Sequence, residues 1–351
     1  MIEILDTPGQ PAWDKYVAGK CDAIFSHCFT WGESLAAACR IPIFRLAAVR
    51  ETAQKNITGI LPLMLFAAPD RDVRLISLPY SDGAGTVADD PATGSRLLAA
   101  ALNLATEQGA VHVELRQAGG SCFQFPASDY ADHWNHTAHS FKTGLLRSLP
   151  TSPDELWSLL PGKVRNQVRK ARKSGCTVKT GGTELLDDFY AVFSENMRDL
   201  GSPVHPPELF KSLLDRNLLK AWIVAVYLET LPVAAAMVFR HNDTLYNPWA
   251  SSLRRYRPQC PNMLLYWAML EFAVSSGCRW FDFGRSSPDA ATCRFKCRWG
   301  ATMQPLIWHV FSRRPFSWNP LAESLVDEEW KTLDLETSRR QGPAVRRWIS
   351  L

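Results

Sequence analysis

Two stretches of this chain carry the same succession of elements, and that repeat limits the possible folds more than any other feature. In the first, Ile43–Arg50 reads as a strand, Gly59–Phe66 as a second after the polar turn at Lys55-Asn56, and Val73–Leu78 as a third. A loop over Pro79–Asp90 leads to a helix over Ser95–Gln108, with Leu97, Leu98, Ala101, Leu102 and Ala105 on one face. Gly109 ends it, and Val111–Leu115 is the closing strand. The second stretch repeats the order: strands over Ala221–Leu228, Pro232–Arg240 and Thr244–Pro248, a loop through Cys260, a helix over Asn262–Ser275, a stop at Gly277, and a strand over Arg279–Phe283. Each closing strand holds one acid in an apolar run, Glu114 in the first copy and Asp282 in the second. His27 with Trp31, and His205 with Phe210, open a helix ahead of each copy.

Antiparallel strands that feed a helix and then another strand build an α/β (α+β) half of about 100–150 residues. Two such halves fill 351 residues. The expected division is 1–147, 148–311 and a C-terminal segment 312–351; two unrelated α+β domains are the plainer alternative. A linker zone rich in Pro, Ser and Asp runs over Phe123–Trp134, and one strand over His139–Leu149 crosses into the second half. The segment Pro315–Leu351 carries Trp318, Trp330 and Trp348 with Arg339-Arg340 and Arg346-Arg347. It is expected to form helices that pack on the body, with a membrane interface as the other setting for basic, Trp-bearing helices.

Composition narrows the class. With 46% hydrophobic and 21% charged residues the chain is globular rather than disordered. No run approaches the roughly 18 apolar residues of a membrane span. Met1–Gln10 holds Glu3, Asp6 and Pro8 in place of a secretory signal, so a cytoplasmic location, extending to the inner face of the membrane, is expected. The nine cysteines form no Cys-x-x-Cys, and the closest pair, Cys293 and Cys297, lacks a second pair to complete a zinc site. Reduced thiols and no metal follow. A net charge of +4 permits an anionic partner without demanding one.

Four segments could carry chemistry. In Lys163–Lys173 (KVRNQVRKARK) six of eleven residues are Lys or Arg, with Val164, Val168 and Ala171 at helical spacing. Such a helix suits the phosphates of a nucleic acid, tRNA included, or is simply a solvated face. Asn196–His205 stops a helix at Gly201-Ser202-Pro203 and could line a site through His205, or be a plain turn. Asn247–Asn262 leaves a strand and enters a helix where a glycine-rich loop would offer backbone N–H groups to a pyrophosphate. Here Arg254, Arg255, Arg257 and prolines stand instead, and arginine side chains could hold an anionic donor. Phe281–Gly300 places Arg285 and Lys296 beyond a strand end, a placement suited to oxyanion or phosphate stabilisation. Asp282 could equally be a buried acid that orders the loop, and Lys296 an exposed charge. Gly-x-Ser-x-Gly, Walker A, dinucleotide-binding and His-Glu-x-x-His patterns do not occur.

In their order, KVRNQVRKARKSG, DDFYAVFSENMRDLGSPVH, NPWASSLRRYRPQCPNMLLYW, FDFGRS and RFKCRWG resemble the FemAB-like proteins associated with exosortase (PEP-CTERM) and exopolysaccharide systems, whose acetyltransferase domain is of the BioF2-like type. The likeness is strong over Leu149–Trp308 and fainter before it, through SLPYSDGAG. It implies two tandem GNAT-like domains and kinship with Fem ligases, which move an amino acid from aminoacyl-tRNA onto a peptidoglycan precursor. In those enzymes a lysine after a phenylalanine near the end of the second domain stabilises the developing oxyanion; Phe295-Lys296 is the matching pair. No heptad insertion matches the helical arm with which some Fem ligases grip tRNA.

The expected reaction is acyl or aminoacyl transfer to an amine or hydroxyl of a polar, envelope- or exopolysaccharide-related acceptor. Acyl-CoA, an acyl-carrier thioester or aminoacyl-tRNA is the donor, and no cofactor is tightly bound. Lys296 is assigned to the oxyanion or donor phosphate, and Tyr246 or Asp282 to the proton. Arg285 and Arg254 are assigned to the anion of donor or acceptor. His205, Trp249, Asn262 and Phe295 are assigned to the walls of the substrate site. The competing expectation is a non-catalytic binding or assembly factor.

Overall fold

The computed structural model describes residues 2–5, 9–50, 56–68, 71–118, 134–215, 220–314 and 328–350. The chain forms two compact units. The N-terminal unit takes Met1–Lys142, Pro305–Ser324 and Arg347–Leu351; the second takes Thr143–Gln304 and Leu325–Arg346.

In chain order the N-terminal unit contains β1 (Ile2–Leu5), α1 (Gln10–Ala18), α2 (Phe29–Cys39), β2 (Ile43–Arg50), β3 (Ile57–Phe66), β4 (Arg74–Ile76), β5 (Val87–Ala88), α3 (Pro91–Glu107), β6 (His112–Ala118) and β7 (Asn135–His139). The second unit continues with β8 (Thr143–Ser148), α4 (Pro153–Leu159), α5 (Gly162–Lys173), β9 (Cys176–Gly181), α6 (Leu186–Asp199), α7 (Pro207–Asp215), β10 (Lys220–Leu228), β11 (Leu231–His241), β12 (Thr244–Ser252), α8 (Pro261–Ser275), β13 (Trp280–Ser286) and α9 (Ala291–Arg298). The strand β14 (Thr302–Ser312) and the helices α10 (Glu328–Thr332) and α11 (Leu335–Arg346) follow.

The repeat seen in the sequence is a repeat of topology. In the N-terminal unit β1, β2, β3 and β4 pair antiparallel in turn, α3 follows, and β6 then lies parallel to β4. In the second unit β9, β10, β11 and β12 pair antiparallel, α8 follows, and β13 lies parallel to β12. Two helices separate the first two strands in both, α1 and α2 in one and α6 and α7 in the other. Each closing strand gains an antiparallel neighbour from outside its own repeat: β6 pairs with β14, and β13 with β8.

Local chemistry accounts for the helices between the parallel strands. Asp90 caps α3 by accepting from Thr93 N at 2.8 Å, and Pro91 supplies the preset first turn. Leu97, Leu98, Ala101, Leu102 and Ala105 are buried against the sheet, and Gly109, at φ +66°, reverses the chain. α8 begins with Pro261 and ends before Gly277 at φ +74°. It is buried nearly all round, because α5 covers the side that the sheet does not, through Val164, Val168 and Ala171. Trp267 and Trp157 meet edge to face at 4.7 Å in this layer.

The single strand expected over His139–Leu149 is two, β7 and β8, broken at residues 140–142, and each serves a different unit. Most of the linker zone Phe123–Trp134 lies outside the described residues, as does Trp318. The remainder of the C-terminal segment is divided: α11 packs on α6 in the second unit, while Ser350 lies in the N-terminal unit and takes hydrogen bonds from the buried Arg116 and from Tyr80 N.

Candidate active site at the fork of two parallel strands

The neighbouring strands β12 and β13 are paired only over Thr244–Tyr246 and Trp280–Asp282, although both run on, to Ser252 and Ser286. Both leave regular geometry at that point. Tyr246 faces Phe239 and Trp249 faces Met237, so β12 spends one residue more than β11 over Asn247-Pro248, the count of a β-bulge. The pairing of β13 with β8 shifts between Asp282 and Arg285, and Gly284 sits there at φ +69°. A Cβ on Gly284 would stand 3.4 Å from the Asn247 carbonyl oxygen, so the two irregular points face each other. The result is a fork between two parallel strands.

Unspent polar groups gather at this fork. Among the described residues, both polar side-chain atoms of Asn247 and the hydroxyl of Ser286 are buried and make no hydrogen bond of ordinary geometry, although the Asn247 amide lies beside the Tyr266 hydroxyl. Burying such groups without partners costs about 1–3 kcal/mol each, so a partner from outside would be welcomed. Tyr266 of α8 lies beside Asn247; burial pushes its hydroxyl up to about 12, with Asn247 opposing the shift. It is therefore neutral at physiological pH and can donate a hydrogen bond. Its ring stacks on Phe283 at 5.8 Å and meets Phe295 edge to face at 4.9 Å.

Phe295 belongs to α9, and that packing fixes the next residue. Lys296 Nζ is half-buried and donates to the Arg285 carbonyl oxygen at 2.7 Å, beside Ser286. An ammonium, a buried amide, a buried hydroxyl and a neutral phenol thus converge at one fork. Together they can hold a carbonyl and stabilise the negative charge that develops on it. Asp282 Oδ1 accepts from Gly284 N at 2.6 Å, which makes it the group that ties the turn of β13. Tyr246 is its register partner on β12 and is half-buried.

The remaining residues singled out in the sequence lie elsewhere in the second unit. His205 and Trp249 pack with each other at 5.8 Å and with Phe210, on the side of α6 and α7. His205 is buried and accepts from Arg346 Nε at 3.3 Å, and Tyr190 donates to its carbonyl oxygen. Burial, then the Arg346 charge, holds its imidazole well below the usual histidine range. It is a neutral core histidine joining the loop before α7 to α11, and the structure does not bring it to Lys296. Arg254 is exposed on the turn Arg254–Gln259, where its neighbour Arg255 pairs with Glu195. Asn262 is half-buried in the first turn of α8. Asn247, Tyr266 and Ser286 were not among the residues chosen from the sequence. One signal pointed to Asn247: it precedes a proline inside a strand, a place where a bulge is expected.

Residues 162–296 match the model of an acetyltransferase (GNAT) domain. The match begins at α5 and ends on Lys296, so it spans every strand and helix that shapes the fork except β8. Among solved structures the chain is similar to FemX, at 15% identity over 88% of this chain and 96% of that one, with a TM-score of 0.65. It is also similar to the C-terminal domain of a putative lysylphosphatidylglycerol synthetase from Agrobacterium fabrum, at 11% identity over 87% and 91% with a TM-score of 0.56. L-PGS from Bacillus licheniformis is 12% identical over 99% and 98%, with a TM-score of 0.55. At these identities the likeness is one of fold. No curated protein matches the sequence significantly. Among the described residues no group of His, Cys, Asp or Glu is placed to hold a metal ion, and no helix is long and apolar enough to cross a membrane.

Proposed function

We propose that the protein is an acyl- or aminoacyl-transferase whose chemistry takes place at the fork between β12 and β13. The observation that carries the reading is the set of buried, unpartnered groups of Asn247 and Ser286 beside the half-buried ammonium of Lys296. An activated carbonyl, as a thioester or an ester, enters the fork and takes hydrogen bonds from the Asn247 amide and the Ser286 or Tyr266 hydroxyl. An amine or hydroxyl of the acceptor attacks the carbonyl carbon, and its electron pair forms the new bond while the carbonyl π pair moves onto oxygen. Lys296 turns from the Arg285 carbonyl to that oxyanion. Collapse expels the carrier's sulfur or oxygen, and the acceptor's proton leaves through Asp282 or Tyr246 at the last paired rung. Arg285 and Arg254 hold anionic parts of donor or acceptor.

The acceptor proposed is a polar molecule of the cell envelope, reached from the cytoplasmic face of the membrane. The fold shared with FemX, with the C-terminal domain of a putative lysylphosphatidylglycerol synthetase and with L-PGS supports that reading. The donor is acyl-CoA, an acyl-carrier thioester or aminoacyl-tRNA.

The test is turnover of the whole protein with acetyl-CoA, a long-chain acyl-CoA and aminoacylated tRNA, before and after Lys296→Ala. Loss of a single oxyanion donor lowers turnover about 10²–10³-fold. An unchanged melting temperature with that loss supports the assignment. Full activity in Lys296→Ala removes the lysine from the mechanism, and a protein that turns over none of the three donors either takes its acyl group from a carrier-protein thioester or is an assembly factor.

A further inference from the structure

The second unit contains a pocket of about 550 Å³ that takes no part in the fork. It lies where the edge strand β9 meets α5 and α8. Its size is that of a small-molecule site. The wall is apolar where Leu264 and Phe272 of α8 face it, and Trp267 completes that wall. Polar groups stand around it in a definite pattern. Arg172 comes from α5, Glu271 from α8 and Thr180 from β9. Neither the Arg172 guanidinium nor the Glu271 carboxylate has a hydrogen-bond or ion-pair partner among the described residues. Glu271 is half-buried. Trp267 is 3% exposed, and its indole Nε1–H is buried without an acceptor.

A pocket that offers one unpaired cation and one unpaired anion beside an apolar wall is complementary to a zwitterion with an apolar body. We propose that this pocket binds a free L-amino acid with a large apolar side chain. Arg172 takes the carboxylate, and Glu271 takes the ammonium. Leu264, Phe272 and the Trp267 ring cover the side chain. Both charges of the ligand meet fixed opposites, and each such charge-assisted contact is stronger than a neutral hydrogen bond. The site does not depend on the reaction assigned to the fork.

Isothermal titration of the whole protein with L-leucine and L-phenylalanine tests the assignment. Leucinamide, which lacks the carboxylate, N-acetyl-L-leucine, which lacks the ammonium, and octanoate, an apolar chain with a carboxylate only, are the controls. The expected result is saturable binding of the two amino acids, weakened at least tenfold in each control. Glu271→Gln removes the preference for leucine over N-acetyl-leucine, and Arg172→Gln removes the preference for leucine over leucinamide, with the melting temperature unchanged because both side chains are unpaired. Absence of saturable binding by either amino acid overturns the proposal. Equal binding of octanoate overturns it as well, because the pocket is then an apolar groove with a cationic lip.

Discussion

Asn247 shows how a residue can cost stability and still be kept. Its amide is buried at the fork beside the Tyr266 hydroxyl, with no hydrogen bond of ordinary geometry among the described residues. Replacing it by leucine, of similar size, removes a desolvated polar group and adds apolar contact with Tyr266. Asn247→Leu is therefore expected to leave the melting temperature unchanged or to raise it, while turnover of any donor falls at least tenfold. Thermal melts and turnover on the same preparation check both halves, and a large drop in melting temperature would make Asn247 structural. The two residues that the sequence marked most clearly fare differently. Lys296 was legible as a charge beyond the end of a closing strand, and the pair Phe295-Lys296 through its resemblance to the Fem pattern; its packing on Tyr266 and its bond to Arg285 set it beside the fork. His205 stood out on a polar loop, but a polar loop does not announce that Phe193, Phe210 and Trp249 will close over it.

At the scale of elements, periodicity carried most of the information. Strands β2, β3, β10 and β11 and helices α3, α5 and α8 stand where alternation and helical spacing placed them, within a few residues at the ends. The bulge over Asn247-Pro248 is different: it is a register relation between β11 and β12, and one strand read alone does not contain it. The break between β7 and β8 was hidden for a similar reason, since both halves are strand-like and only their partners differ. The basic helix α5 offers a direct check of its two faces. Val168 is wholly buried against α8, so Val168→Ala should cost about 2 kcal/mol in denaturant unfolding. Lys170→Gln, on the exposed face, should stay within about 0.5 kcal/mol.

Across the whole molecule, buried and half-buried histidines held neutral tie stability to pH. Burial, then His136, lowers His309 to about 4, and burial followed by Arg346 lowers His205 well below the usual range. Groups whose folded pKa is depressed bind fewer protons when folded than when unfolded, so stability rises with pH between the two values. The stabilisation is complete above about 6.5, the unfolded histidine value, and is lost as pH falls from there toward 4. Melting temperatures measured from pH 7.5 to 5 should fall, and His309→Phe should flatten part of that slope; a flat profile in the unsubstituted protein contradicts the burial of these rings.

The strand that flanks each closing strand is borrowed from outside its own repeat. β8 precedes its repeat and serves β13, whereas β14 follows the second repeat and serves β6 and β7. During synthesis from the N-terminus, β6 therefore emerges long before its partner and waits with a bare edge until residues 302–312 leave the ribosome. Over the same interval β8 to β13 become available in full, so the later half of the chain can close its sheet first. The fragment 1–142, made alone, keeps that edge open and is an invitation to pair with strangers.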